Sequence, residues 1–158
     1  MSIIIRRAII KDLKDIQNLN LKLCKKEFKE FDNTININFP IQEKGKNYFR
    51  ERIRSNNCFS SVAVESGKIV GYIAGAIVKA EDYRDIKKIA EAENMFILDD
   101  YRNMGIGTKL MDSFIEWCTK KKVKRVRVVI SALNDPSIKF HKKNKFEDYD
   151  VVLEKKIQ

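Results

Sequence analysis

The stretch Arg102-Asn103-Met104-Gly105-Ile106-Gly107-Thr108 joins a strand pattern to a helical one, and its reading decides the fold. Upstream, Ile89 to Leu98 reads as a strand despite its alanines, because strand-to-helix punctuation follows it. Downstream, Ile106, Leu110, Met111, Phe114, Ile115, Trp117 and Cys118 recur at amphipathic helical spacing as far as Lys120. A helix start offers unpaired backbone N–H groups and the positive end of the dipole, which together attract phosphate. Gly105 and Gly107 carry no Cβ, so an anion can approach the backbone closely, and Arg102 adds charge beside it. The segment is an anion cradle on physical grounds alone. It lacks the third glycine of a dinucleotide fingerprint and the Gly-Lys-Ser/Thr order of a P-loop, so spacing does not name the anion.

Working outward, the remaining elements alternate. Ile3 to Ile10 is β-branched and reads as a first strand; Lys11-Asp12 then opens a helix carrying Leu13, Ile16, Leu19, Leu23, Cys24, Phe28 and Phe31. Asp32 to Pro40 reads as a polar loop and Ile41 to Ser55 as a charged second helix. Phe59–Glu65 and Ile69–Lys79 read as strands around the turn Ser66-Gly67-Lys68, and Glu81 to Lys88 as a charged loop. Past the cradle helix, Val123–Ile130 alternates as a strand, Asp135–Lys143 opens as a helix with Pro136 in its first turn, and Phe146–Leu153 makes a last strand. The order β α α β β β α β α β is a mixed α/β (α+β) class, with strand-helix-strand units in the C-terminal half.

The 158 residues suit one domain, 1–158, and folding at that size removes roughly 68–70% of the unfolded chain's surface from water. Thirty-two Lys and Arg against twenty-two Asp and Glu give a formal charge of +10, a field that attracts polyanions and says nothing of fold. A solvated Lys/Glu-rich surface is the other reading of the same balance. Cys24, Cys58 and Cys118 form no CxxC pair, and with one histidine in the chain no Cys/His metal site can be assembled by spacing. Reduced thiols point to the cytoplasm. The N-terminal apolar run is too short for a signal peptide, and no apolar stretch reaches the ~18–20 residues of a membrane span.

Arg102-x-x-Gly-x-Gly after a strand resembles the acetyl-CoA pyrophosphate motif of the GNAT superfamily of N-acetyltransferases. The run Ala90 to Arg102 resembles that family's fourth strand and its exit loop. Asn134-Asp135-Pro136-Ser137-Ile138-Lys139-Phe140-His141, followed by Phe146, resembles its second cofactor-side motif. The two motifs stand at the family's separation and the element order matches, so the resemblance covers nearly the whole chain. It implies a mostly antiparallel sheet of six to seven strands, flanked by about four helices, with a splayed central strand pair. It also implies acetyl-CoA as the acyl donor, with coenzyme A as product. The backbone of Phe96 and Ile97 would then pair with the pantetheine like an added strand. The N–H groups from Asn103 through Met104, Gly105, Ile106 and Gly107 to Thr108 would hold the pyrophosphate, and Asn134 would line the other wall.

Acetyl transfer needs a neutral amine, a route for its proton and a proton for the departing thiolate. Strand alternation places Glu91, Glu93, Met95 and Ile97 on one side and makes Glu93 the candidate base. A similar glutamate, acting through water, occurs in the spermidine/spermine acetyltransferases, whose pattern at this strand this one resembles. The alternative is a carboxylate paired with one of the chain's many cations. His141 stands where the family usually has a tyrosine acid. It either donates the proton or is a packing histidine, with water as the acid. Lys145 stands where the family commonly has glycine, and Asn144 is expected to take the left-handed cap instead.

The acceptor pocket of such a fold is shaped by Asp32 to Pro40, Glu81 to Lys88 and the vicinity of Tyr149. There Asp32, Glu81, Asp82 and Asp85 are candidates for recognising a cationic amine. A polyamine-like small amine and a protein amine both remain open. Two other classes stay in view. One is a non-catalytic acetyl-CoA sensor. The other is a basic nucleic-acid or ribosome-contacting module, which the charge suggests and no motif supports. The resemblance makes a homodimer a further possibility.

Overall fold

The computed structural model describes residues 2–158. Along the chain run β1 (Ile3–Arg7), α1 (Leu13–Glu30), α2 (Glu43–Arg54), β2 (Cys58–Glu65), β3 (Lys68–Lys79), β4 (Lys88–Ile97), α3 (Ile106–Lys120), β5 (Val126–Arg127) and α4 (Asp135–Lys143). The strands form one sheet in the order β1-β2-β3-β4-β5. The first four pair antiparallel, and β5 joins β4 in parallel. The hairpin between β2 and β3 turns through Ser66 and Gly67, both at positive φ (49° and 81°). Such a pair matches the right-handed twist of the strands it connects.

Helices cover both faces of the sheet. On one face α3 lays Ile106, Leu110, Met111, Phe114 and Cys118 against Phe59, Ala63, Ile73 and Ala90. On the other, α1 and α2 bring Leu13, Ile16, Leu19 and Phe49 onto Val62, Tyr72, Ala74 and Phe96. Each fully buried Leu, Ile or Phe in these layers contributes about 1.5–3 kcal/mol from leaving water. Two polar side chains that enter the core find partners there. Asn20 Nδ2 donates to the Tyr72 hydroxyl at 2.6 Å. Asp12, at the start of α1, accepts from the Arg6 guanidinium (2.7 and 2.9 Å) and from the Ile9 amide (2.8 Å).

Two expected strands come out differently. Of Val123–Ile130 only Val126 and Arg127 enter the ladder, against Ala90 and Glu91, and Phe146–Leu153 forms no strand. The sheet therefore has five strands among the described residues, fewer than the six to seven expected. The reason lies in β4. Its register with β3 passes from Ala74↔Asn94 to Gly75↔Ala92, leaving Glu93 as an extra residue. Such a bulge bends its strand and sharpens the local twist. Pairing with β5 stops two residues before it, so β4 and β5 separate from that point on. The splay expected of the central pair is present. Alternating sequence alone cannot make a strand where no ladder partner lies alongside.

Candidate active site

The bulge sets the site's side-chain geometry. Ala90 and Ala92 before it, and Met95 and Ile97 after it, all pack toward α3. Glu93 and Asn94 both reach the opposite face, where α2 lies. The expectation that Glu91, Glu93, Met95 and Ile97 share a side is thus corrected: one extra residue inverts the alternation between Glu93 and Met95.

Glu93 is held on three sides. Arg52 of α2 donates from Nε to Oε2 at 2.6 Å and from Nη2 to Oε1 at 2.8 Å, while the Tyr48 hydroxyl donates to Oε2 at 2.6 Å. Tyr48 in turn accepts from Asn94 Nδ2 at 2.8 Å, and the Arg52 guanidinium lies 4.3 Å above the Tyr48 ring. Burial and the neighbouring Glu93 carboxylate push the Tyr48 hydroxyl far above its ordinary range, so the phenol stays protonated and acts as a donor. The Asn94 Oδ1 is buried and accepts no hydrogen bond among the described residues. A buried acceptor without a donor is uncommon and marks a place for an external donor or a water. Tyr48 and Arg52 lie 45 and 41 residues before Glu93, and no local pattern in a charged helix announces them.

Beyond the bulge no strand pairs with the side of β4 that faces away from β3. The Leu98 amide donates to the Val70 carbonyl, so Leu98 and, by alternation, Phe96 turn their backbone groups toward β3. Those of Met95 and Ile97 face the gap where β5 has diverged. An added strand on this edge would meet the backbone groups of Met95 and Ile97, whereas those of Phe96, one of the two residues expected there, face β3. The Phe96 side chain instead carries the Arg102 guanidinium, 5.3 Å from its ring centroid. Arg102 also donates to the Ile97 carbonyl at 3.1 Å and pairs with Asp99 at 2.9 Å. It braces the strand exit and has part of its charge already met.

The cradle follows directly. Asn103 (φ 60°) and Gly105 (φ 76°) are both left-handed, and Gly105 caps α3 with open space where a Cβ would stand. The first helical backbone bond here runs from the Lys109 amide to the Gly105 carbonyl. Among the described residues nothing accepts from the amides of Asn103, Met104, Gly105, Ile106, Gly107 or Thr108. Met104 is exposed, whereas Ile106 buries its side chain in the core and presents only its backbone at the cradle. Gly107 has a different reason to be glycine. A Cβ there would stand 3.1 Å from the Phe140 ring and 3.4 Å from Ile97, so it lets α4 pack closely on α3. Six free amides beside an unpaired strand edge fit a ligand with a phosphate group and an amide-bearing arm, the shape of acetyl-CoA.

On α4, Asn134 is the N-cap, its Oδ1 accepting from the Ser137 amide at 3.3 Å. That bond fixes the helix start and uses the side-chain oxygen. His141 is 8% exposed and stands edge-on to Phe140 and Phe146. Its Nδ1 lies 2.8 Å from the Ser137 carbonyl, which places the ring proton on Nδ1. Burial lowers its pKa from the ordinary histidine value, against the opposing pull of the Ser137 carbonyl. Glu93 and His141 do not share a face: Glu93 turns to α2, while α4 packs against Gly107 and Ile97 on the α3 side.

The helix end also departs from expectation. Asn144 is right-handed (φ −88°) and Lys145 itself is left-handed (φ 69°). The Phe146 amide reaches the His141 carbonyl and the Lys145 amide the Lys142 carbonyl, both at 3.0 Å. This double closure demands the left-handed residue at position 145.

The carboxylates expected to greet a cationic amine are mostly engaged. Asp32 accepts from the Thr34 amide and hydroxyl, which hold its carboxyl below the ordinary range. Glu81 pairs with Arg127, which also holds Glu91, and Asp82 pairs with Lys79. No helix among the described residues is long and apolar enough to cross a membrane.

Comparison with known proteins fits this geometry. An uncharacterised N-acetyltransferase of Methanocaldococcus jannaschii is 27% identical over 148 residues, which cover 94% of this chain and 62% of that one. The chain spans less than two thirds of the length of the curated relatives it matches. Among solved structures, a mutant of the BH1408 protein of Bacillus halodurans superposes with a TM-score of 0.86 at 18% identity, covering 98% of this chain and 99% of that one. The aminoglycoside N-acetyltransferase AAC(6′)-Iy, in complex with a CoA-containing bisubstrate analogue, superposes with a TM-score of 0.79 at 18% identity, covering 100% and 99%. At such identities the superpositions speak for the fold. The family model described as the acetyltransferase (GNAT) family matches residues 22–146, a span that holds the bulged strand, the cradle and the Asn134–Phe146 segment, and the chain belongs to that family.

Proposed function

We propose that this chain is an acetyl-CoA-dependent N-acetyltransferase that moves the acetyl group directly to a primary amine. One observation carries the reading: the backbone edge at Met95 and Ile97, which no strand covers and where only the Ile97 carbonyl is taken, by Arg102, leads through the Asp99–Tyr101 turn to six acceptor-free amides, Asn103 to Thr108. Acetyl-CoA supplies an activated acyl group; the amine nitrogen forms a C–N bond as the C–S bond breaks, one proton leaving nitrogen and one reaching sulfur.

The chain's own groups divide the work. Met95 and Ile97 hold the extended arm, the amides of the cradle hold the pyrophosphate, and Asn134 fixes α4 as the opposite wall. A Met95 or Ile97 amide turned into the gap is positioned to donate to the acyl oxygen as negative charge develops there. Glu93 accepts the amine's proton through a water. Three of its lone-pair directions are taken by Tyr48 and Arg52, and the fourth is open to that water. Asn94 Oδ1, buried and without a donor, steadies the same water or the amine. His141 packs α4, and the thiolate takes its proton from solvent, because the imidazole is neutral with its one N–H given to Ser137.

The acceptor is a singly charged amine. Of the four candidate carboxylates Glu81 and Asp82 are paired with Arg127 and Lys79, which leaves only Asp32 and Asp85 without a cationic partner among the described residues to meet a polycation beside a protein of net charge +10. A second reading, an acetyl-CoA sensor without turnover, is favoured by the same clamps on Glu93 and the same neutral His141.

Thiol release from acetyl-CoA decides between them, measured against amino acids, N-terminal peptides, polyamines and aminoglycosides. Release with the singly charged amines, lost in Glu93→Gln, is the expected result. Tight acetyl-CoA binding with no release for any amine selects the sensor, and absence of acetyl-CoA binding overturns both.

A further inference from the structure

A second cavity opens at the far end of α3. It measures about 330 Å³ and lies between β1, the start of β2, the end of α2 and the last turns of α3. Gly107 and Lys120 are thirteen helical steps apart, roughly 20 Å at 1.5 Å per residue, so this cavity is distinct from the cradle. Its volume falls at the small end of the ~300–1,000 Å³ range of small-molecule sites.

The lining combines flat rings with uncompensated positive charge. Phe59 and Trp117 form its apolar wall, their centroids 5.3 Å apart, and the Arg7 guanidinium lies 4.3 Å over the Phe59 ring. Arg54 and Lys121 complete the rim. Two other lining cations have partners, Arg6 with Asp12 and Lys120 with Glu116. Arg7, Arg54 and Lys121 have no carboxylate within ion-pair distance among the described residues, although the chain holds twenty-two acidic side chains. Three unpaired cations around one cavity repel one another, and desolvation lowers the Arg7 pKa, a cost that a bound anion would relieve.

We propose that this cavity binds a nucleoside monophosphate, with the phosphate on Arg7, Arg54 and Lys121 and the base against Trp117. Arginine grips a phosphate with two parallel hydrogen bonds, which a monocarboxylate shared among three cations exploits less fully. A planar base gains from stacking on the indole as an aliphatic anion does not. A cavity of this size holds one nucleotide and offers no continuous track for a strand.

The test is direct, because Trp117 is the only tryptophan in the chain and lines this cavity. AMP is titrated into the intact protein at low salt, in the presence of saturating coenzyme A so that the cradle is filled. Saturable quenching is expected, weakened at least tenfold in Arg7→Gln and in Arg54→Gln, with inorganic phosphate displacing AMP and adenosine alone binding much more weakly. Both positions are exposed, and a thermal melt checks that each variant is folded. The proposal is overturned by any of three results: no saturable quenching by AMP, equal quenching in both folded variants, or quenching by an oligonucleotide only. None of these bears on acetyl-CoA binding or turnover, which are measured separately.

Discussion

The Tyr48 hydroxyl of α2 donates a 2.6 Å hydrogen bond to Oε2 of Glu93, the residue that β4 inserts as a bulge. Helix and strand are thereby joined at the one point where the strand's alternation breaks. Arg52 adds a bidentate contact from the next turn of the same helix, and both its side chain and that of Glu93 are largely buried (14% and 19% exposed). Burial works against the Arg52 charge, and the hydrogen bonds and charge of Glu93 outweigh it, so the guanidinium stays charged.

Tyr48→Phe removes one hydroxyl that serves two partners, leaving Asn94 Nδ2 without an acceptor and Glu93 with Arg52 alone. The expected loss is about 1–3 kcal/mol, the cost of a buried group left unsatisfied, read by urea denaturation. Glu93→Gln should behave differently. Its turnover falls by about 10²-fold or more, the usual contribution of a positioned proton acceptor, while acetyl-CoA affinity stays put. A Glu93→Gln enzyme with unchanged turnover, measured under saturating acetyl-CoA, would show that this carboxylate serves packing alone.

Gly105→Ala tests the cradle by conformation, since no atom stands within 4 Å of the position a Cβ would take. The residue is at φ 76°, where an L side chain costs roughly 1–2 kcal/mol. The melting temperature should fall by a few degrees, and acetyl-CoA should bind more weakly because the amides of Ile106 to Thr108 lose their aim. Calorimetry of binding and unfolding on the same variant separates the two effects. Unchanged affinity in a destabilised variant would move the pyrophosphate elsewhere.

Lys145→Gly predicts a gain. Lys145 is left-handed at φ 69° because the Phe146 and Lys145 amides close the end of α4 onto His141 and Lys142. Glycine adopts that conformation without the Cβ penalty, so stability should rise by about 1 kcal/mol, or roughly 2–4 °C in melting temperature. Asn144→Gly, one position earlier and right-handed, should lose stability instead. A thermal melt of the two variants side by side gives opposite signs, or the assignment of the cap fails.

The sequence was readable where each element carries its own period and finds its neighbour nearby. The β2–β3 hairpin announced itself by Gly67, and α3 by its apolar stripe from Ile106 to Cys118. The cradle was readable for the same reason, being a local junction. The bulge was not: Ala92-Glu93-Asn94 contains no glycine or proline, and the extra residue exists only relative to β3. Tyr48 and Arg52 were hidden by distance along the chain, since their partner is fixed by how α2 crosses the sheet. Val123–Ile130 and Phe146–Leu153 alternate well enough, yet the divergence of β4 leaves them without a full ladder. At the end of α4, propensity pointed to Asn144, whereas the hydrogen bonds of the cap fall one residue later.

His141 gives the chain a measurable pH signature, because it is the only histidine. Burial between Phe140 and Phe146 depresses its folded pKa, whereas the unfolded chain titrates near the ordinary value of about 6.5. Above that pH both forms are neutral and the histidine's contribution is fully present. As pH falls below about 6.5 the unfolded chain takes a proton first, so stability drops toward the depressed folded pKa, by at most about 1.4 kcal/mol per pH unit. His141→Phe removes this slope while carboxylate titration at lower pH remains. Proton NMR checks the premise, since a single imidazole gives a single titrating set of resonances, expected to turn over below pH ~6.5. The same neutrality bears on catalysis. An imidazole whose one N–H is given to the Ser137 carbonyl has no proton to offer a thiolate at neutral pH. His141→Phe should therefore lose less than about tenfold in kcat, short of the ~10²–10⁴ that removing a general acid costs. A loss in that larger range, with an alkaline limb of the wild-type profile that vanishes in the variant, would restore His141 to the proton's path.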